Sequence, residues 1–67
     1  MIAVKANGET VSLEEGATIE ILLSKLNILP ERLAVELNKQ VLPRSQVLRV
    51  VLKEGDVLEI VKAIGGG

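Results

Sequence analysis

The sequence contains no cysteine and no histidine. Without cysteine the chain can form no disulfide, and it has no thiolate to act as a nucleophile or a metal ligand. Without histidine it lacks the most common general base and the most common protein ligand for metals. We therefore expect a protein that is not an enzyme on its own and that binds no metal or cofactor itself.

Aromatic residues are also absent, and neither sign of charge is in clear excess. Phe, Tyr and Trp supply the surfaces on which single-stranded nucleic acids stack, so their absence disfavours that class of ligand. The eight basic and nine acidic side chains are interspersed and give a net charge of −1. Binding to a phosphate backbone requires a clustered basic face instead. We expect no nucleic-acid partner.

Long apolar runs are missing as well. The longest uninterrupted one covers residues 1–4, which is far too short for a membrane span or for the core of a signal peptide. We therefore expect a cytoplasmic protein with no membrane partner. The 67 residues make one domain at most. Hydrophobic residues, nearly all of them aliphatic, form 48% of the chain and must supply the core of that domain.

The first part of the chain carries a hairpin signal. Apolar and polar residues alternate over Ile2–Ala6 and again over Glu9–Leu13, and Asn7-Gly8 joins the two runs. Asn and Gly both accept the positive φ of a type I′ turn, so Asn-Gly between alternating runs is the strongest short-range hairpin signal. The pattern predicts two antiparallel strands.

A short amphipathic helix is predicted next. Thr18 is a good N-cap, and Glu20 in the first turn suits the helix dipole. One apolar stripe at helical spacing follows and consists of Ile19, Leu22, Leu23 and Leu26. The helix should end near Asn27, ahead of Pro30. Because it is too short to be stable alone in water, it needs a sheet to pack on.

The rest of the chain predicts three more strands. Residues 33–38 alternate, residues 41–42 form a short strand that Pro43 stops, and Val57–Lys62 alternates last. Residues 44–52 fit either a turn of helix or an irregular loop. One helix with one apolar stripe and one sheet with one apolar face make a two-layer α+β domain.

The sequence closes on Gly65, Gly66 and Gly67. Such a segment is either a frayed terminus or linker remnant, or a functional tail. Glycine has no Cβ, so this tail can thread a narrow slot and leave the final carboxylate unhindered. From Ala63 to Gly67 an extended chain reaches roughly 17 Å. We expect a folded domain over residues 1–64 and a flexible reactive tail over residues 65–67.

These features together resemble the ubiquitin-like β-grasp proteins, and more narrowly the sulfur-carrier family of thiazole (thiamine) biosynthesis. The resemblance covers the whole chain and is clearest in "LAVELNKQVLPRSQ" at residues 33–46 and "EGDVLEIVKAIGGG" at residues 54–67. It implies a mixed sheet packed on one helix. Three alternatives stay open: the small subunit of molybdopterin synthase, a ubiquitin-like modifier joined to lysines, and an interaction domain with an inert tail.

The resemblance also implies a mechanism and partners. An adenylyltransferase of the ubiquitin-activating type, using ATP and magnesium, would adenylate the carboxylate of Gly67 while Gly65 and Gly66 thread its active site. Sulfur from a cysteine desulfurase persulfide would then leave a thiocarboxylate at Gly67, which thiazole synthase would consume.

We expect the partner to dock on the sheet face away from the helix, near the last strand, at Val57, Val61 and Ala63. These residues alternate with the inward-facing positions of the last strand, and exposed apolar surface often marks a partner site. Arg44, which follows Pro43, is a possible further contact, although a solubilising role in the loop or a cap for a helix end is the commoner role for such a residue.

Overall fold

The computed structural model describes residues 1–62 of the chain. Five strands, one α-helix and one turn of 3₁₀ helix follow one another in the order β1 (Ile2–Ala6), β2 (Glu9–Leu13), α1 (Ile19–Lys25), β3 (Leu33–Leu37), β4 (Gln40–Val41), the 3₁₀ turn (Val47–Arg49) and β5 (Val57–Lys62). The predicted two-layer α+β architecture is confirmed.

The strands form one mixed sheet in the order β2-β1-β5-β3-β4. β1 and β5 pair in parallel, while β1 with β2, β3 with β5 and β3 with β4 pair antiparallel. The last strand of the chain therefore occupies the centre of the sheet. Lys62, the last described residue, belongs to this central strand.

Both hairpins close through two-residue loops. Ala6 pairs with Glu9, so that Asn7 and Gly8 form the first loop with φ of 51° and 85°. This is the predicted turn with two positive φ angles, and the register puts the apolar residues of both strands on one face.

In the second hairpin Leu37 pairs with Gln40, and the loop consists of Asn38 and Lys39 with φ of 51° and 72°. β4 therefore begins at Gln40, one residue earlier than the sequence predicted. The backbone N–H of Leu42 still donates to the carbonyl of Val35 at 2.9 Å, which continues the pairing up to Pro43.

α1 begins where the sequence predicts and ends at Lys25, two residues before the predicted end near Asn27. Thr18 has an extended backbone, and its Oγ1 accepts a hydrogen bond from the N–H of Ile21 at 3.4 Å, which caps the helix. The helix buries Ile19, Leu22 and Leu23 against the sheet. Asn27 has a φ of 60°, and this left-handed residue directly after the last turn stops the helix.

The core lies between α1 and one face of the sheet. Its buried residues are all apolar: Ile2, Val4, Ala6, Val11, Leu13, Ala17, Ile19, Leu22, Leu23, Val35, Leu52, Leu58 and Ile60. Within residues 1–62 no polar or charged side chain is buried. The core is therefore purely hydrophobic and gains its stability from burial of aliphatic surface.

The segment that the sequence left ambiguous is anchored at its end by Leu52. This side chain is buried, and its backbone N–H donates to the carbonyl of Ala17 at 2.8 Å. The N–H of Ile19 donates to the carbonyl of Val50 at 3.0 Å. These bonds tie the segment to the start of α1, and only the three residues Val47–Arg49 within it are helical.

The described part of the chain contains no helix with the length and hydrophobicity needed to cross a membrane.

Candidate functional site

β5 presents two different faces. Leu58 and Ile60 point into the core and are almost fully buried, whereas Val57 and Val61 are 48% and 60% exposed. The sequence predicted this alternation. Exposed apolar side chains that form a contiguous patch often mark a partner site, so the face that carries these valines is a candidate for contact with a partner.

The side chains on the sheet side away from α1 make one continuous surface, which we call the outer face. Val61 lies opposite Ala34, and Glu59 lies opposite Glu36, which in turn lies opposite Val41 on the edge strand. Val41 is 70% exposed. On β3, β4 and β5 the outer face consists of Ala34, Glu36, Val41, Val57, Glu59 and Val61, and β1 continues it with Ala3 and Lys5, of which Lys5 lies beside Val57.

Two carboxylates interrupt the apolar character of the outer face. Glu36 and Glu59 are exposed and sit directly across the β3–β5 ladder from each other. Like charges in such a pair are mildly destabilising. With Lys39 and Val57 they line a shallow depression of about 250 Å³. The arrangement suits a partner that brings a basic side chain between two apolar contacts.

The carboxyl-terminal half of β5 is held by a side chain from the first hairpin loop. The N–H of Ile60 donates to Oδ1 of Asn7 at 2.7 Å, and Nδ2 of Asn7 donates to the carbonyl of Ile60 at 3.1 Å. The hairpin pattern in the sequence identified Asn7 only as a turn residue. A signal was available, since both hairpin loops begin with Asn, but the contact depends on a strand 53 residues away.

The other end of β5 is held in the same way by the second hairpin loop. The N–H of Val57 donates to Oδ1 of Asn38 at 3.0 Å, and Nδ2 of Asn38 donates to Oδ1 of Asp56 at 3.1 Å. The second oxygen of Asp56 accepts from the N–H of Lys53 at 2.8 Å. Asp56 thus organises the turn before β5.

The predicted contact residues do not all come together. Arg44 is exposed and borders a cavity of about 100 Å³ whose walls include the core residues Leu23 and Val35. It therefore lies on the helix side of the sheet, while Val61 lies on the outer face. Ala63, Gly65, Gly66 and Gly67, which the sequence assigned to docking and to the reactive tail, lie outside the described residues.

Within residues 1–62, no group of three or more Asp and Glu side chains could hold a metal ion.

A mixed five-stranded sheet that packs on a single helix, with the last strand in the middle, defines the ubiquitin-like β-grasp class. The crystal structure of the thiamine biosynthesis protein ThiS from Geobacter metallireducens superimposes with a TM-score of 0.79 at 32% sequence identity, covering 98% of this chain and all of that one. The sequence model of the ThiS family matches residues 2–67. The chain belongs to the ThiS family, and the resemblance inferred from the sequence is confirmed.

Two longer relatives are thiazole synthases. The chain is 47% identical over 64 residues to the thiazole synthase of Magnetococcus marinus, and the alignment covers 96% of this chain and 20% of that protein. It is 41% identical over 61 residues to the enzyme of Paramagnetospirillum magneticum, with coverage of 91% and 19%. The chain thus spans about a fifth of the length of these relatives.

Proposed function

We propose that this protein is a sulfur carrier of thiamine biosynthesis and that the carboxylate of Gly67 is its reactive group. The observation that carries the proposal is the extent of the family match, which runs through Gly65 and Gly66 to Gly67. The similarity to two thiazole synthases favours the thiazole branch over the molybdopterin branch.

The chemistry begins with a group that is unreactive by itself. A terminal carboxylate has an ordinary pKa of about 3.3–3.7, so it is ionised at neutral pH and is a poor electrophile. In an adenylyltransferase partner that uses ATP and magnesium, an oxygen of this carboxylate attacks the α-phosphate. The products are an acyl adenylate and pyrophosphate, and the carbonyl carbon is then open to attack.

Sulfur transfer follows on the activated end. The outer sulfur of a cysteine persulfide, generated by a cysteine desulfurase, displaces AMP and forms an acyl disulfide. A thiolate then attacks the sulfur of the donor cysteine and releases a thiocarboxylate at Gly67. Thiazole synthase takes the sulfur from this group. In this scheme the carrier is a co-substrate, and its partners supply the catalysis.

The folded domain and the tail have different roles in this scheme: the domain docks on the partner, and the tail enters its active site. Gly65 and Gly66 present no Cβ, so they fit a slot that admits only backbone. From Ala63 an extended segment reaches roughly 17 Å to Gly67, which allows the carboxylate to enter an active site while the domain stays outside. The domain must then dock in one orientation, because reaction requires a near-attack geometry.

We place the docking surface on the outer face. Val57 and Val61 are half exposed or more, and Ala63 continues their alternation in the sequence. Glu36 and Glu59 lie beside them and would accept a Lys or Arg of the partner, which would relieve the repulsion between the two carboxylates. Arg44, on the other side of the sheet, would serve a separate contact.

Intact mass spectrometry tests the proposal. The mass of the purified protein first establishes that Gly67 is the last residue. After incubation with the adenylyltransferase, ATP, magnesium and a persulfide donor, the mass should rise by one sulfur minus one oxygen, located on the carboxyl-terminal peptide. Omission of ATP is the control. Stable adducts to lysines of other proteins, without a thiocarboxylate, would instead identify a protein modifier.

A further inference from the structure

We propose that Asn7 is a positioning residue for the reaction at Gly67: its side chain fixes the direction in which the chain leaves the sheet. The inference rests on the proposed carrier function and adds a residue that is distant from the tail in sequence.

The β1–β5 ladder is short. Its paired positions are Lys5 with Val57 and Ala6 with Leu58, and the N–H of Asn7 donates to the carbonyl of Leu58 at 3.0 Å. β1 then turns away into the hairpin loop. From this point on β1 offers β5 no further backbone partner.

The Asn7 side chain continues the ladder where the backbone stops. Its amide accepts from the N–H of Ile60 and donates to the carbonyl of Ile60, which is the pair of bonds that a neighbouring strand would supply. Both bonds are partly buried, so water competes with them less than at an exposed site. β3 pairs with the opposite edge of β5 as far as Lys62. Among the described residues, Ile60 is therefore the last position of β5 that is held from both sides.

The contact between Asn7 and Ile60 lies close to the tail that carries the carboxylate. Gly67 lies seven positions beyond Ile60 in the sequence, or roughly 23 Å away if the segment is extended. Without the Asn7 bonds, β5 from Ile60 to Lys62 would be held by β3 alone among the described residues, so the start of the tail would be less well fixed. Since a displacement of about 1 Å at a reacting atom can cost up to about 100-fold in rate, an anchor at Ile60 should matter to the chemical step.

The molecule supplies a matched control in Asn38. Asn7 and Asn38 both begin a two-residue hairpin loop, both have a φ of 51°, and both accept a hydrogen bond from a β5 N–H. Asn38 holds Val57, at the start of β5, and Asn7 holds Ile60, near its end. Glycine tolerates the positive φ at both positions, so Asn7→Gly and Asn38→Gly keep the turns and remove only the amides.

The test is ATP–pyrophosphate exchange catalysed by the adenylyltransferase, with the full-length carrier as the varied substrate. Asn7→Gly should lower kcat about tenfold with KM nearly unchanged, because docking is intact and only the carboxylate is misplaced, whereas Asn38→Gly should stay within about twofold of the native chain. Thermal melting should show comparable stability losses for the two variants. Amide hydrogen exchange should accelerate at Ile60 in Asn7→Gly and not in Asn38→Gly.

A further variant keeps the test decisive if Asn7→Gly does not fold. Asp is compatible with the turn, and Asn7→Asp keeps the acceptor for the N–H of Ile60. Its kcat should therefore lie between those of the native chain and Asn7→Gly. If Asn7→Gly does not fold, the kcat of Asn7→Asp should simply be lower than that of the native chain. Equal losses of kcat in Asn7→Gly and Asn38→Gly, or native kcat in Asn7→Asp and Asn7→Gly, would overturn the positioning role alone. If the native chain supports no exchange at all, the proposed carrier function fails and the positioning role fails with it.

Discussion

Leu22→Ala should destabilise the domain far more than Ile21→Ala, although the two residues are neighbours on α1. Leu22 is fully buried and Ile21 is 51% exposed. Truncation of a buried leucine removes its transfer free energy and leaves a cavity, at a cost of about 3–4 kcal/mol. Truncation of Ile21 loses part of one side chain's burial and gains helix propensity, so we expect a change below about 1 kcal/mol.

The size of the domain makes this difference easy to measure. A chain of this length has a total stability of roughly 3–10 kcal/mol. With a urea m-value of about 1 kcal/mol/M, Leu22→Ala should lower the unfolding midpoint by about 3 M. Far-UV circular dichroism is the suitable probe, because the chain has no Trp or Tyr to report by fluorescence. Midpoints of the two variants within about 0.5 M of each other would refute the assigned core.

The remaining predictions concern the tail and the outer face. Deletion of Gly65, Gly66 and Gly67 should change the melting temperature by no more than about 2 °C, because glycines bring no side chain to the core; a larger shift would contradict a purely functional tail. Val61→Asp should weaken binding to the adenylyltransferase about tenfold or more, as measured by calorimetry, without unfolding the domain. Leu29→Asp, at a position that is 66% exposed but lies outside the outer face, is the control and should leave binding unchanged.

Local signals in the sequence predicted most of the fold. Asn7-Gly8 sets the first hairpin because both residues accept a positive φ, and Thr18 marks the start of α1 because its hydroxyl caps a free N–H. The alternation over Val57–Lys62 matches β5 residue for residue. In each case the deciding interactions lie within a few residues of each other.

The order of the strands was not predictable in the same way. The parallel pairing of β1 with β5 joins residues more than fifty positions apart, and no local pattern specifies it. Residues 44–52 stayed ambiguous because their conformation follows from burial of Leu52 and from its bond to Ala17. β4 was shifted by one residue because Lys39, with a φ of 72°, is not a residue type that signals a type I′ turn.

Some features of the candidate site could be predicted from the sequence and others could not. Exposure of Val61 followed from simple alternation, and the family resemblance pointed to Gly67. The separation of Arg44 from Val61 required the three-dimensional arrangement, since the sequence gives no indication of which side of the sheet a loop residue will occupy. The contact between Asn7 and Ile60 could not be inferred either, because it depends on the parallel pairing of two distant strands.

The most direct test of the central claim is whether Gly67 must be both terminal and unhindered. The measurement is ATP–pyrophosphate exchange with the adenylyltransferase for three chains: native, native with one alanine added after Gly67, and Gly66→Val. The added residue moves the carboxylate past the reacting centre, and valine places a β-branched side chain where only backbone should pass. Both variants should melt like the native chain and support no exchange. An extended chain that is activated as fast as the native one, with intact mass showing that the added alanine is still present, would contradict the assignment of the Gly67 carboxylate as the reactive group.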